Sequence, residues 1–251
     1  MSLRKTALKS AIVVAMLTAA AAAPAVALAK GPPVVLDAGR PAQDQALDST
    51  RHPAQILAFL KLRKGDTVAD VWPGDYWDRL FAAAVGPTGK VYAAHLTEAD
   101  KAEKIITPPA GSKPLADRPN VVVTVTTANT FTLPTKADVI WIRQNYHDLY
   151  DKFMGPSDVP AFNKAVFRAL KPGGRFVIVD HTAPAGSKLT ATDTTHRIDP
   201  EVVKADMAAA GFRFVGESSA LRNPADPLTG GVFDAGIKGR TDQFIYVFRR
   251  P

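Results

Sequence analysis

The stretch Asp66–Leu96, DTVADVWPGDYWDRLFAAAVGPTGKVYAAHL, constrains this chain more than any other. Thr67–Val71 is a short apolar run that ends at Trp72-Pro73-Gly74-Asp75. A helical pattern starts near Tyr76 and stops at Gly86-Pro87, and Val91–Ala94 is apolar again. A strand, a helix of about ten residues and a second strand make a βαβ unit, which crosses over right-handed. Such a unit calls for a parallel sheet flanked by helices. Ligands bind such sheets at the carboxyl ends of the strands, near the point where strand order reverses. Here those ends are Trp72–Asp75 and His95–Leu96.

The rest of the chain continues the pattern. Arg51–Lys64 carries Ile56, Leu57, Phe59, Leu60 and Leu62, with Pro53 in the first turn and Gly65 past the end, which reads as a helix. Thr97-x-x-Asp100 resembles a capping box opening a short polar helix to about Ile106. Asn120–Thr127 and Asp138–Ile142 are β-branched strands, the second emptying into the polar and aromatic segment Arg143–Tyr150. Ser157 or Asp158 caps a helix through Leu170. Lys171-Pro172-Gly173-Gly174 reads as a turn before the strand Arg175–Asp180, and His181–Ile198 as a polar loop. Asp199-Pro200 opens a helix that ends at Gly211. Phe212–Ser218 and Gln243–Arg249 are strands with no helix between them, so the last strand is expected to run antiparallel.

The first 29 residues read as a secretory signal peptide. Arg4, Lys5 and Lys9 make a basic start, Ala11–Ala23 is an uncharged apolar run too short to span a bilayer, and Ala27-Leu28-Ala29 fits the cleavage rule. Lys30 is then the first mature residue, and the protein is periplasmic or secreted with no stable membrane insertion. Residues 30–50, rich in Pro, Gly and Ala, are expected to form an extended arm, and 51–251 the domain. The signal holds three basic residues and no acidic one, so its removal takes the formal charge from +7 to +4. No basic block argues for nucleic acid, and a small-molecule substrate is expected. With no cysteine there is no disulfide, thiolate metal site or cysteine nucleophile.

The chemistry-bearing residues gather at predicted strand ends. His95, His147 and His181 follow strands two, four and five, and topology brings His147 and His181 to one edge with Asp148 and Asp180 beside them. General acid–base catalysis, a metal site and simple loop capping all remain open there; no pair has zinc-protease spacing, and no residue is assigned to a metal. His147 is read as exposed, so that its removal would leave stability nearly unchanged, and as able to take a proton near neutral pH with Asp148 or Asp180 orienting its ring. Arg197 and Arg222 lie in polar loops, as surface ion pairs or as carboxylate binders.

The order of elements resembles class I S-adenosylmethionine-dependent methyltransferases, a Rossmann-like α/β fold with seven strands, mostly parallel, an antiparallel last strand and helices on both faces. Leu170-Lys171-Pro172-Gly173-Gly174-Arg175-Phe176 looks like that family's turn before strand five, Val68–Gly74 its acidic residue and glycine loop, and Gly86–Val91 its lead-in to strand two. WPG, QNYHDLYDKFMGP, THRIDP, LRNPADP and TDQFIYVFR resemble a bacterial group of predicted methyltransferases with signal peptides. The resemblance implies S-adenosylmethionine as cofactor, held by Asp70, Trp72, Gly74, Asp75, Tyr76, His95 and Asn145. It implies an acceptor site at Tyr146, His147 and Asp148. The family's loop has three glycines; here their positions hold Trp72, Gly74 and Tyr76, and His95 stands where an acid binds ribose. Cofactor binding is therefore expected to be weak.

Overall fold

The computed structural model describes residues 36–155 and 157–251. The expected signal peptide and the start of the expected arm lie outside the described residues. The arm is not extended where it is described. Ala42–Ala46 (α1) and Asp48–Arg51 (α2) are short helices, and Arg40 and Asp44 are buried against the domain. Polar anchors explain this: Asp48 pairs with Arg40 and accepts from the Tyr76 hydroxyl at 2.8 Å, and Asp44 pairs with Arg79 at 3.1 Å.

Helix α3 spans Pro53–Leu60, with proline at its start as expected. Then follow β1 (Thr67–Val71), α4 (Asp75–Val85), β2 (Lys90–Leu96) and α5 (Thr97–Ala102). No capping box forms at α5: Asp100 turns instead to His95 Nδ1 at 3.1 Å and receives the Thr107 hydroxyl at 2.5 Å. β3 (Val121–Thr126) and β4 (Ala137–Arg143) complete the first half.

Two 3₁₀ turns, His147–Tyr150 and Lys152–Met154, lead to α6 (Val159–Ala169), capped by Asp158, which accepts from Ala161 N at 2.9 Å. β5 runs from Leu170 to His181, so the expected Lys-Pro-Gly-Gly turn is strand, with the register slipping against β4 between Ala137 and Val139. Gly174 is required there, since a Cβ would lie 2.8 Å from the Lys171 carbonyl oxygen. α7 (Thr192–Thr195), α8 (Pro200–Ala209), β6 (Arg213–Ser218) and β7 (Gln243–Arg249) finish the chain.

The sheet order is β3-β2-β1-β4-β5-β7-β6, and β7 is antiparallel to both its neighbours while the other pairs are parallel. β1, β2, β4, β5 and β7 are largely buried on both faces. Ala69, Val71, Ile140, Ile142, Phe176 and Ile178 pack with α5, α6 and α8. Val68, Val91, Val139, Trp141 and Val177 pack with α3 and α4. Strand order reverses between β1 and β4, so their carboxyl ends diverge and leave a crevice. No helix among the described residues is long and apolar enough to cross a membrane.

Candidate functional site at the strand ends

A cleft of about 540 Å³ opens at the carboxyl ends of β1, β4 and β5, within the range of roughly 300–1,000 Å³ usual for small-molecule sites. Of the residues singled out from sequence, Asp70, Trp72, Gly74, Asn145, His147 and Asp148 line it. Asp75, Tyr76, His95 and Tyr146 do not. Asp75 is exposed and pairs with Arg79 at 3.3 Å. Tyr76 is committed to Asp48, with Arg51 4.4 Å over its ring. His95 is held by Asp100. Tyr146 is buried in the layer with α6 and α8, where its hydroxyl donates to Asp206 Oδ2 at 2.9 Å and accepts from Asn163 at 2.8 Å.

His147 is the most constrained group. Its backbone N–H and its Nδ1 reach the two oxygens of Asp180, each at 2.8 Å, and Asp180 is wholly buried. With Nδ1 spent, Nε2 points to Asp148 Oδ1 at 3.1 Å and to His196 Nδ1 at 3.3 Å. His147 is 2% exposed, which corrects the expectation of a dispensable surface group. Burial opposes its charge, but Asp180 and Asp148 outweigh it and push its pKa up to about 10. The two carboxylates therefore favour a proton on the ring as long as nothing else meets Nε2. His181, 6.1 Å away between ring centres, is pushed well below the usual range by burial and by the His147 charge, and its Nδ1 meets the Thr241 hydroxyl at 2.7 Å.

The same region holds residues with no role legible from their sequence context. Asp151 closes the 3₁₀ turn that starts at His147. Burial raises its carboxyl against the pull of the nearby Thr192 hydroxyl; that hydroxyl donates to Leu189 O, and neither Asp151 oxygen receives a hydrogen bond of ordinary geometry. His196 comes from the loop after β5. Its neighbour Arg197 is fully buried and bidentate to Asp226 at 2.9 and 3.1 Å, so Arg197 is neither a surface ion pair nor a ligand binder. THRIDP and LRNPADP are thus two halves of one internal clamp.

The other wall is cationic. Arg143 has a buried Nε with no hydrogen-bond partner, and burial together with the Arg51 charge brings it down to about 9. Asp70 is held well above the usual carboxylate range by burial and by Asp78, while the Gly74 N–H pulls it down; it shapes the turn. Trp72 sits at φ 61°, left-handed, and its indole reaches Phe153 edge-on at 6.4 Å and the carboxyl of Glu103.

No model of a known protein family and no curated protein matches the chain. Solved structures do. It is similar to a SAM-dependent methyltransferase from Aquifex aeolicus at 20% identity and TM-score 0.52, covering 84% of this chain and 99% of that one. It is also similar to the glycopeptide N-methyltransferase MtfA in complex with S-adenosyl-L-methionine, at 16% identity and TM-score 0.50, over 82% and 87% of the two chains. The fold is the seven-stranded methyltransferase fold. In that fold the described residues suit one end of the cofactor better than the other. Gly74 is open, with nothing within 4 Å of where a Cβ would stand, and Arg51 and Arg143 can meet a carboxylate. The nucleoside end does not fit as the residues stand. The Trp72 indole crosses from β1 to α5 and the turn after β4, His95 is held by Asp100, and Glu98 accepts from Ala128 N at 3.2 Å with both oxygens.

Proposed function

We propose that the protein is a methyltransferase-like enzyme of the cell envelope, exported by a cleavable signal, that acts on a small molecule carrying an anionic group. The observation that carries this reading is the cleft itself. It lies at the strand-order reversal of a methyltransferase fold, with open backbone at Gly74 on one side and the unpaired guanidinium of Arg143 on the other. S-Adenosylmethionine is the proposed methyl donor, and when bound it supplies an activated methyl group. Arg51 and Arg143 would hold a carboxylate. The apolar walls Trp77, Phe153 and Val232 would exclude water. Asp180 fixes the ring of His147, and Asn145, which donates to Asp148 Oδ2 at 3.0 Å, fixes that carboxylate. The partners are small molecules; the mild charge supports neither nucleic acid nor membrane binding.

A second reading is favoured by one observation. The Trp72 indole lies in the way of a nucleoside, and the same cleft could serve other chemistry without that cofactor. Titrating the mature protein with S-adenosylmethionine and S-adenosylhomocysteine, followed by tryptophan fluorescence, decides between them. We expect saturable binding in the range above micromolar, with a change in Trp72 emission. No saturation up to millimolar ligand would remove the methyl donor and leave the second reading. Sub-micromolar binding would show that Trp72 does not obstruct the site.

A further inference from the structure

His147, Asp148, Asp151 and His196 each offer one ligand atom, and the four atoms lie within 4.8 Å of one another. We propose that these four residues bind one divalent first-row transition-metal ion, of the zinc, iron or manganese class. Four of the six separations, from 3.1 to 3.8 Å, lie near those of a coordination shell, and the other two are within 4.8 Å. His147 Nε2 to Asp148 Oδ1 is 3.1 Å, His147 Nε2 to His196 Nδ1 is 3.3 Å, His196 Nδ1 to Asp148 Oδ1 is 3.4 Å and to Asp151 Oδ2 is 3.8 Å. A tetrahedron of nitrogen and oxygen ligands at about 2.0–2.2 Å has edges of roughly 3.3–3.6 Å.

The supporting shell is also in place. Metal-bound imidazole usually donates its other N–H to a carboxylate, which fixes the ring and its tautomer. Asp180 does this for His147 at Nδ1. Asn145 occupies Asp148 Oδ2 and leaves Oδ1 for the site. His196 is edge-on to Phe233 at 5.2 Å, and its loop is pinned by the Arg197–Asp226 clamp next to it. A second observation is independent of these spacings: Asp151 is 2% exposed, with both carboxylate oxygens lacking a hydrogen-bond partner and one turned to His196. A buried, unsatisfied carboxylate is costly unless something else meets it. An ion there answers that cost and ties the turn after β4 to the loop after β5.

Donor chemistry sets the ion. Two imidazoles and two carboxylates suit transition metals, whereas magnesium and calcium take oxygen ligands. His147, Asp148 and His196 all line the cleft, so the ion would be reached from it. It would there act as a Lewis acid on an oxygen of the cleft's ligand. The inference rests on the reading of the cleft as the functional site but not on the methyl donor, because the metal is measured on the protein alone.

The test is a titration of chelator-stripped mature protein with Co²⁺ and then Zn²⁺, read by the visible absorption of bound cobalt and by metal analysis. We expect one equivalent, displaced by Zn²⁺ and indifferent to excess Mg²⁺. Asp151→Asn and His196→Asn should each weaken binding by about tenfold or more while keeping the cooperative melt, and His52→Ala, which does not line the cleft, should leave it unchanged. Absence of saturable binding overturns the proposal. So does binding that survives both variants, or binding that His52→Ala abolishes. Either result stands apart from the S-adenosylmethionine titration, which is read without metal.

Discussion

Trp72 and Asp78 carry the clearest residue-level consequences. Trp72 holds a left-handed backbone conformation that costs a bulky residue about 1–2 kcal/mol, at the position where the resembling family has a glycine. Trp72→Gly would remove both the strain and the indole that crosses to Phe153 and Glu103. We expect S-adenosylmethionine to bind at least several-fold tighter to that variant by titration; unchanged or weaker binding would make the indole part of the ligand's seat. Asp78 is buried, and burial, with the Asp75 charge adding to it, raises its pKa to about 8. A carboxyl raised in the folded state supports stability fully below its unfolded value, near 4. It loses that support as pH climbs through the folded value. Asp78→Asn should therefore raise the melting temperature at pH 8 by several degrees and change little at pH 4. An equal effect at both pH values would contradict the assignment. Asn145, His147 and Asp148 were legible as cleft-lining residues because dense polar side chains directly after an apolar strand mark the open end of the sheet. His196 and Asp151 were not: His196 approaches His147 only through the folded loop, and Asp151 reads in sequence as one more acid in a turn.

Secondary structure followed from periodicity, and the departures came where side chains found tertiary partners. The residues before α3 lacked any apolar repeat, so they read as extended; an ion pair to Arg79 and a hydrogen bond from Tyr76, invisible locally, hold them as α1 and α2. The capping box at Thr97 failed because Asp100 serves His95 instead. The loop between β5 and α8 read only as polar, yet it is held from inside by Arg197, which donates to Asp226, Gly230 O and Thr182 O. Removing one partner of such a buried pair strands the other charge, at a cost of about 3–5 kcal/mol. Asp226→Asn should lose stability of that order in urea denaturation and, because His196 adjoins the clamp, should also weaken cobalt binding. A loss under about 0.5 kcal/mol, the usual ceiling for surface changes, would show that the loop opens and solvates the guanidinium.

For the whole molecule, the sheet order was legible because the inner strands are apolar on both faces and most crossovers carry a helix, the one from β3 to β4 excepted, which leaves few topologies. β7 lies between β5 and β6, and β6 and β7 have no helix between them in the chain, which accounts for the one reversed strand. The expected location rests on the first 29 residues alone, which lie outside the described structure, and it bears on the chemistry. A methyl donor made inside cells must reach an exported enzyme, whereas a metal ion is available on either side of a membrane, and a chain without cysteine neither gains nor loses a disulfide by crossing. An exported chain would thus meet a metal ion more readily than the methyl donor. The expectation is checked by intact mass on protein recovered from an envelope fraction. The chain should begin at Lys30, its formal charge reduced to +4 by loss of Arg4, Lys5 and Lys9. A cytosolic protein that begins at Met1 or Ser2 would return the methyl donor to the same compartment as the enzyme and undo the argument from location.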